Sequence, residues 1–212
     1  MKKYRFLFAF LTVFCLLTIF NISSVDAQQQ NDTDVYIVQK GDSLWKIAVK
    51  YQVGLSEIIA ANPQFKNPNL IYPGNKVYVP LFSTVKAIEK EVIRLTNLER
   101  QKAGLSPLGH NWEVSRVARY KSEDMRNNGY FSHTSPTYGS PFTMLKNFGI
   151  RYTAAGENIA MGQPTAQAVV QGWMNSSGHR ANILSKSFNQ IGVGYAKSSK
   201  GRIYWTQMFI RQ

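Results

Sequence analysis

Two kinds of hydrophobic periodicity alternate along residues 35–80. The segment opens on VYIVQ and closes on KVYVP, and both ends alternate apolar and polar residues as short strands do. Between them, two groups of apolar residues recur at helical spacing, one behind Asp42 or Ser43 as N-cap and one behind Gly54, with Ser56 as the expected cap. The groups are Leu44, Ile47, Ala48 and Tyr51, then Leu55, Ile58, Ile59 and Asn62. The pattern predicts the order strand, helix, helix, strand.

Two longer helical patterns follow a short connection at residues 81–83. The first stops at Gly104, and its apolar face consists of Val85, Ile88, Val92 and Leu95. The second is predicted over residues 112–128, between Asn111 as N-cap and Gly129 as the residue that ends the helix. Its buried side is expected to contain Val114, Val117, Ala118, the stem of Lys121 and Met125.

The last third of the chain changes from helical to strand periodicity. PFTMLKNFG is predicted to form a short helix and TAQAVVQGWMNS an amphipathic helix, whereas GHRANIL is predicted to form a turn or the start of a helix. GENIAMG, which lies among them, is predicted to be a strand or the edge of a loop. IGVGYAK and RIYWTQMFI are rich in β-branched and aromatic residues and are separated by SSKG, which predicts an antiparallel hairpin. Since helices come first and strands late, without a βαβ repeat, the predicted fold class is α+β.

Residues 1–27 have the pattern of a secretory signal peptide. A basic start precedes a 15-residue run, residues 6–20, that is apolar except for two threonines, and small residues precede the expected cut after Ala27. The run is shorter than the roughly 20 residues that a membrane-spanning helix needs. A retained N-terminal anchor is the alternative. Residues 28–34 are expected to form a polar leader.

Cleavage after the predicted signal would change both the cysteine content and the charge. It would remove Cys15, which is the only cysteine, so disulfides and thiolate sites are excluded from the exported chain. Lys plus Arg would fall from 25 to 22 and Asp plus Glu from 12 to 11, which leaves a net charge of +11. Such a chain attracts polyanions such as wall phosphate polymers. Because the basic residues are scattered, no specific nucleic-acid partner is predicted.

Residues 35–80 resemble a LysM domain in the segments GDSLWKIA, ANP and NPNLIYPGNKVYVP. That family binds N-acetylglucosamine-containing glycans such as peptidoglycan or chitin, so the resemblance implies a groove between residues 41–44 and residues 69–74. The expected glycan-binding residues are Gly41, Asp42, Ser43, Leu44, Asn69, Leu70, Ile71 and Tyr72. For Leu70, Ile71 and Tyr72, the sequence does not decide between a place in the core and a place in the groove. Three other apolar residues are expected in the core: Trp45, Ile47 and Ile59.

Residues 84–212 resemble the compact bacterial form of the CAP superfamily of cysteine-rich secretory, antigen 5 and pathogenesis-related proteins. The resemblance depends on an ordered series of segments: LTNLERQKAGLSPL, ARYKSEDMRNNGYFSHTSP, GENIA, GWMNSSGHRANIL and IGVGYA. Each segment alone is weak evidence for the family, but their order along the chain is specific to it. The resemblance implies an α-β-α sandwich with an open cleft.

In this family the cleft holds two histidines and two glutamates, and in some members the histidines bind a divalent metal. By motif, SHTSP supplies His133, GEN supplies Glu157 and GHR supplies His179, which are the expected catalytic residues of this chain. The other glutamate usually follows the helix tryptophan, here Trp173, by three residues, and this chain has Ser176 there. The resemblance implies His133 and His179 as ligands of a metal such as zinc. With Glu157 they would form a three-ligand site with an open water position.

Each candidate also has a structural interpretation. His133 is alternatively a loop histidine bonded to Glu157, and His179 makes a local cap or turn contact at a helix start. His110 is expected in a surface loop. Gln207, in the last strand, is expected either to line the cleft or to face solvent.

The two resemblances together predict an exported protein that LysM holds on peptidoglycan or another N-acetylglucosamine polymer, while the CAP cleft meets a lipid, a peptide or a metal. The expected location is the cell wall or, in a spore-forming organism, the spore envelope. The missing glutamate favours a binding protein over an enzyme. The alternative is a metal-assisted hydrolase of wall peptide, protein or phosphodiester, and a third hypothesis is lipid binding in apolar grooves of the CAP domain.

Overall fold

The computed structural model describes residues 32–212, so the predicted signal peptide and most of the polar leader lie outside the described residues. Two structural units follow one another along this part of the chain. None of the helices in residues 32–212 combines the length and apolar character that crossing a bilayer requires.

The first unit has the predicted order of strand, helix, helix, strand. Its elements are β1 (Thr33–Ile37), α1 (Leu44–Tyr51), α2 (Leu55–Ala61) and β2 (Lys76–Pro80). The two strands pair antiparallel, and both helices cover one face of this ribbon. The core between them consists of Val38, Leu44, Ile47, Ala48, Val53, Ile58, Val77 and Val79.

Helix capping in the first unit agrees with one prediction and contradicts another. Ser43 is the N-cap of α1, and its Oγ accepts a hydrogen bond from the amide of Lys46 at 3.2 Å. At α2 the N-cap is Gly54, without a side-chain bond. The prediction of Ser56 as cap was therefore wrong, since its hydroxyl donates instead to the carboxylate of Glu57 at 2.7 Å.

Two of the three residues expected in this core are exposed. Ile47 is buried as predicted, but the prediction was wrong for Trp45, which is 61% exposed, and for Ile59, which is 37% exposed. The cause is helical geometry: Leu44 and Ile47 occupy the inward face of α1, and Ile58 occupies that of α2. A residue one position along a helix is turned by about 100° to the side, which places Trp45 and Ile59 away from the core.

The second unit starts with a long helix and ends with a hairpin. Its elements are α3 (Ser83–Lys102), β3 (Gly109–His110), α4 (Trp112–Asn128), α5 (Pro141–Asn147), β4 (Ala154–Met161), α6 (Ala166–Met174), α7 (Ser177–Ile183), β5 (Gln190–Lys197) and β6 (Ile203–Arg211). The predicted bounds of α4 and the antiparallel hairpin β5–β6 are confirmed.

The four-stranded sheet has the order β3-β5-β6-β4. Sequence analysis missed β3, because two residues carry no readable alternation. Its His110 pairs parallel with Ile191 of β5, so the prediction of a loop was wrong although the residue is on the surface. The other edge of the sheet is β4, and its position determines where the candidate site forms.

The sheet separates two helical layers, which confirms the predicted α-β-α sandwich. Side chains alternate along β6: Trp205 and Phe209 pack in the core with α3, α6 and α7, whereas Met208 and Ile210 pack with α4 and α5. All four are essentially inaccessible to solvent.

Two glycines in β5 explain the IGVGYA segment. A Cβ at Gly194 would overlap the backbone of Ala118 and Arg119 on α4, and one at Gly192 would overlap Val114 and Ser115. α4 therefore lies directly on the strand at these positions.

Candidate functional site

The candidate site is a cleft along β4, the strand at one edge of the sheet. Neighbouring residues of a strand point to opposite faces, so Glu157 faces the α4 layer and Asn158 faces the α7 layer. His133 follows α4 and His179 lies in α7, and the two histidines therefore approach the same edge from opposite layers. A cavity of about 510 Å³ opens here, lined by Phe131, Ser132, His133, Ile159, Ala160, Met161, Gln163, Val169, Gly172, Trp173, Ser176 and His179.

The structure joins His133 to Glu157, which is the bond that the structural interpretation of His133 expected. Nδ1 of His133 lies 2.7 Å from Oε1 of Glu157, and the carboxylate side chain is only 2% exposed. Burial raises the pKa of Glu157, although the bond to His133 opposes this. The same bond raises the pKa of His133. Oε2 of Glu157 is buried and accepts no hydrogen bond from any residue in 32–212.

The backbone of the His133 loop is held by Lys121 on α4. Nζ of Lys121 donates to the carbonyl of His133 at 2.8 Å and to the hydroxyl of Tyr130 at 3.2 Å. The side chain is fully buried, and this burial lowers its pKa despite the charges of Glu157 and Asp124. The sequence pattern identified only the Lys121 stem as buried, whereas the ammonium group itself positions the loop.

A second residue that sequence analysis missed, Asp124, organises the rest of this loop. Its two carboxylate oxygens accept four hydrogen bonds of 2.6–2.7 Å, from the side chains of Tyr130, Ser135, Thr137 and Asn128. These bonds outweigh the effect of burial and lower the pKa of Asp124. A carboxylate satisfied in this way fixes the loop geometry and with it the direction of the His133 side chain.

A network of side-chain amides beneath the cleft supports the backbone at His179. Nδ2 of Asn158 donates to the carbonyl of His179 at 3.1 Å and to Oε1 of Gln207 at 2.9 Å. Gln207 in turn donates to the hydroxyl of Thr96 at 2.8 Å. Gln207 therefore lies in neither of the two places expected from the sequence, since it is completely buried beneath the cleft. Burial and the charge of His133 lower the pKa of His179.

The residues of the cleft do not assemble the three-ligand zinc site expected from the sequence. Among residues 32–212, no three His, Cys, Asp or Glu side chains converge as a metal-binding group. Glu157 is bonded to Nδ1 of His133 and so orients the imidazole, as outer carboxylates do at metal centres. Ser176, in the place of the family's second glutamate, lines the cleft without adding a carboxylate. Binding of a metal by the two imidazoles remains a prediction.

The two segments predicted to form the glycan groove are neighbours in the structure. The amide of Gly74 donates to the carbonyl of Val38 at 2.9 Å, three residues before the loop that begins at Gly41. Nζ of Lys46 donates to the carbonyl of Gly41 at 2.6 Å and fixes that loop. Tyr72 is 63% exposed.

The other predicted groove residues divide between backbone and side-chain roles. Leu70 is more than half exposed, as a groove residue should be, whereas Ile71 packs against the core. Leu44 is buried, so only its backbone is available to a glycan. The remaining residues of the set are at least partly accessible: Gly41, Asp42, Ser43 and Asn69.

A second cavity of about 470 Å³ lies between α3 and α6. Its apolar residues are Leu95, Leu98, Val170 and Met174, and its polar rim includes Glu99 and Lys102. This groove is where the lipid hypothesis would apply.

The comparisons with known proteins agree with both resemblances. A LysM domain model matches residues 36–80. The chain is 58% identical over 128 residues to an uncharacterized protein, YkwD, of Bacillus subtilis, covering 60% of this chain and 49% of that protein. Over 46 residues, 22% of this chain and 12% of the relative, it is 59% identical to the SpoIVD-associated factor A of Bacillus subtilis. The chain thus spans half or less of the length of these relatives.

A solved structure and a second family model assign the larger unit. The structure is that of an extracellular protein containing a SCP domain from Bacillus anthracis, with a TM-score of 0.58 and 35% identity, covering 66% of this chain and 47% of that one. The model of the cysteine-rich secretory protein family, CAP, matches residues 93–209, which is more than half of the chain. The protein therefore belongs to the CAP family, and its CAP domain follows a LysM domain.

Proposed function

We propose that this protein is exported to the cell envelope, where its LysM domain binds N-acetylglucosamine-containing glycan of the wall and its CAP cleft binds a second ligand. The observation that carries the glycan part is the pair of exposed side chains Leu70 and Tyr72 beside the loop fixed by Lys46. Apolar side chains cover sugar faces, while the backbone groups of two adjoining loops hold acetamido groups.

The cleft of the CAP domain supports binding of a ligand with both apolar and hydrogen-bonding groups. Phe131 and Met161 expose apolar surface at its rim, and His133, His179 and Ser176 supply polar groups. The volume of about 510 Å³ is in the range of small-molecule sites. A short peptide or a sugar unit of the wall combines both kinds of group.

The more specific location that we propose within the cell envelope is the spore envelope. The similarity between the LysM segment and the spore coat assembly protein ExsA of Bacillus cereus supports this part of the proposal; the two are 54% identical over 46 residues, which is 22% of this chain and 7% of that protein. Immunoblots of vegetative walls and purified spores test it, and recovery in walls alone would restrict the protein to the vegetative envelope.

A pull-down on insoluble peptidoglycan tests the glycan proposal, and the chain offers a matched control. Tyr72→Ala should reduce retention about tenfold, the loss of roughly 1.4 kcal/mol expected of an exposed aromatic anchor. Tyr78→Ala should bind like the unaltered protein, because Tyr78, which is 42% exposed, lies on the outer face of β2. Equal retention of both variants, abolished by high salt, would mean that the positive charge alone causes binding.

Activity assays separate this proposal from the hydrolase alternative. The purified protein is incubated with peptidoglycan, casein or nucleic acid, with and without zinc. We expect no turnover. Turnover that requires zinc and is lost in His133→Ala and His179→Ala would overturn the binding proposal in favour of a metal-assisted hydrolase.

A further inference from the structure

An arginine of the CAP domain clamps the first turn of α2 in the LysM domain. Arg116 on α4 donates from Nε to Oε1 of Glu57 at 2.7 Å and from Nη2 to Oε2 at 3.1 Å. Nη2 also donates to the hydroxyl of Ser56 at 2.8 Å. Both partners of the ion pair are largely buried, with 22% and 15% of their side chains exposed. A bidentate, shielded pair of this kind has a defined geometry, unlike most surface ion pairs.

The surroundings of Arg116 fit its planar side chain closely. Its guanidinium lies 5.1 Å from the ring centre of Tyr120 and 5.4 Å from that of Phe148, within the range of cation–π contacts. On the LysM side, a Cβ at Gly54 would overlap both Arg116 and Glu57. The absence of a side chain at Gly54 therefore makes room for the ion pair.

Further contacts fix the connection between the domains. Leu81 and Phe82 pack against the LysM core, and the ring centre of Phe82 lies 5.3 Å from the guanidinium of Arg119. Nζ of Lys86 donates to the carbonyl of Tyr51 at 3.1 Å. The segment that sequence analysis predicted as a linker, residues 81–83, is therefore part of the interface.

The interface lies at the opposite end of α1 from the predicted glycan groove. The groove loop, residues 41–44, ends at the first residue of α1, whereas Tyr51 is the last residue of α1 and the clamped first turn of α2 comes after it. Eight residues of α-helix separate the ends by about 12 Å, at 1.5 Å per residue. A glycan in the groove would not disturb the contacts between the domains.

We propose that the Arg116 clamp makes the LysM and CAP domains one rigid body, so that a glycan held by LysM sets the orientation of the CAP cleft on the wall. The orientation of the cleft on glycan rests on the proposed function, whereas the rigidity does not. The CAP domain then meets ligands at one fixed position relative to the polymer, instead of searching on a flexible tether.

Backbone ¹⁵N relaxation of the intact protein measures this rigidity without any glycan. In the unaltered protein, amides of both domains should give the same rotational correlation time. In Arg116→Ala, the LysM amides should give a shorter correlation time than the CAP amides. Gly54→Ala should act in the same direction without removing a charge, because its φ of −78° suits alanine while the added Cβ displaces the ion pair.

Arg94→Ala is the matched control, since Arg94 forms a similar bidentate pair with Glu91 on the solvent-facing side of α3. We expect it to tumble like the unaltered protein. Dispersed amide spectra establish that each variant is folded. Different correlation times for the two domains of the unaltered protein would overturn the proposal, and so would equal times in Arg116→Ala. Neither result depends on whether LysM binds glycan, so failure here is distinct from failure of the pull-down.

Discussion

Nδ1 of His133 lies 2.7 Å from Oε1 of Glu157, and the pair joins an imidazole that is 54% exposed to a carboxylate beneath it that is 2% exposed. The buried partner sets the orientation and the charge of the accessible one. The cleft therefore presents the remaining nitrogen of His133 in a defined direction, opposite His179 on the other side of the β4 edge.

This pair predicts that the two cleft histidines titrate differently. His133 should titrate above the ordinary value of 6.5, since Glu157 stabilises its charged form, and His179 below it, because of burial and the charge of His133. NMR of the imidazole carbon-bound protons against pH measures both. Glu157→Gln should lower the pKa of His133, and an unchanged titration in this variant would contradict the assigned pairing.

The raised pKa of His133 also predicts how the free energy of unfolding changes with pH. Because the pKa of His133 is raised on folding, protonation of His133 stabilises the folded state. This stabilisation is fully present below the pKa of the unfolded chain, which is near 6.5. It is lost as pH rises through the folded pKa. Urea unfolding between pH 5 and 8 should show this loss in the unaltered protein and a smaller one in Glu157→Gln.

Replacing Asp124 should loosen the loop that carries His133. Asp124→Asn turns one acceptor oxygen into a donor that faces hydroxyl donors, so we expect a loss of about 3 kcal/mol in the free energy of unfolding. Thr137→Val removes a single donor to the same carboxylate and should cost about 1 kcal/mol. Urea unfolding checks both variants. Stabilities equal to that of the unaltered protein would show that the network does not hold the loop.

Contact between α4 and β5 depends on glycine at position 194. Gly194→Ala would place a Cβ in the backbone of Ala118 and Arg119, so the layers must separate, at a cost of about 3 kcal/mol. Gly178→Ala is the control, since a Cβ there meets nothing within 4 Å. Thermal unfolding of the two variants compares them, and a near-neutral Gly194→Ala would mean that the layers are less tightly packed than described.

Lys86, at the domain interface, should make stability rise with pH. Burial and the charge of Arg119 lower the pKa of Lys86 from 10.5 to about 8. The charge of Lys90 lowers this pKa further, whereas the charges of Glu89 and Asp32 raise it. Above pH 8 the unfolded chain binds more protons than the folded one, so the free energy of unfolding increases towards pH 10. Lys86→Met should lack this increase, whereas Lys102→Met, on an exposed position of α3, should keep it. Urea unfolding from pH 7.5 to 9.5 measures the slopes, and identical slopes would contradict the assignment.

The sequence by itself determined the helices, the hairpin and the order of the two units. The bounds of α4 were predictable from Asn111 and Gly129, because capping and termination depend on local backbone chemistry. The β-branched and aromatic residues of RIYWTQMFI likewise identified a strand, since a strand with a core on both faces is apolar along nearly its whole length. His133, Glu157 and His179 were found only through motif resemblance, and they do lie around one cleft.

Only the tertiary structure decided which groups meet. Gln207 is buried against Asn158 and Thr96, which lie 49 and 111 residues away in the chain, and no local pattern encodes partners at such distances. The position of β4 at a sheet edge depends on the strand order β3-β5-β6-β4, which sequence periodicity does not specify. The clamp between Arg116 and Glu57 depends on how two separately readable units pack together. Periodicity reports which side of an element is apolar, whereas long-range packing decides what each polar group touches.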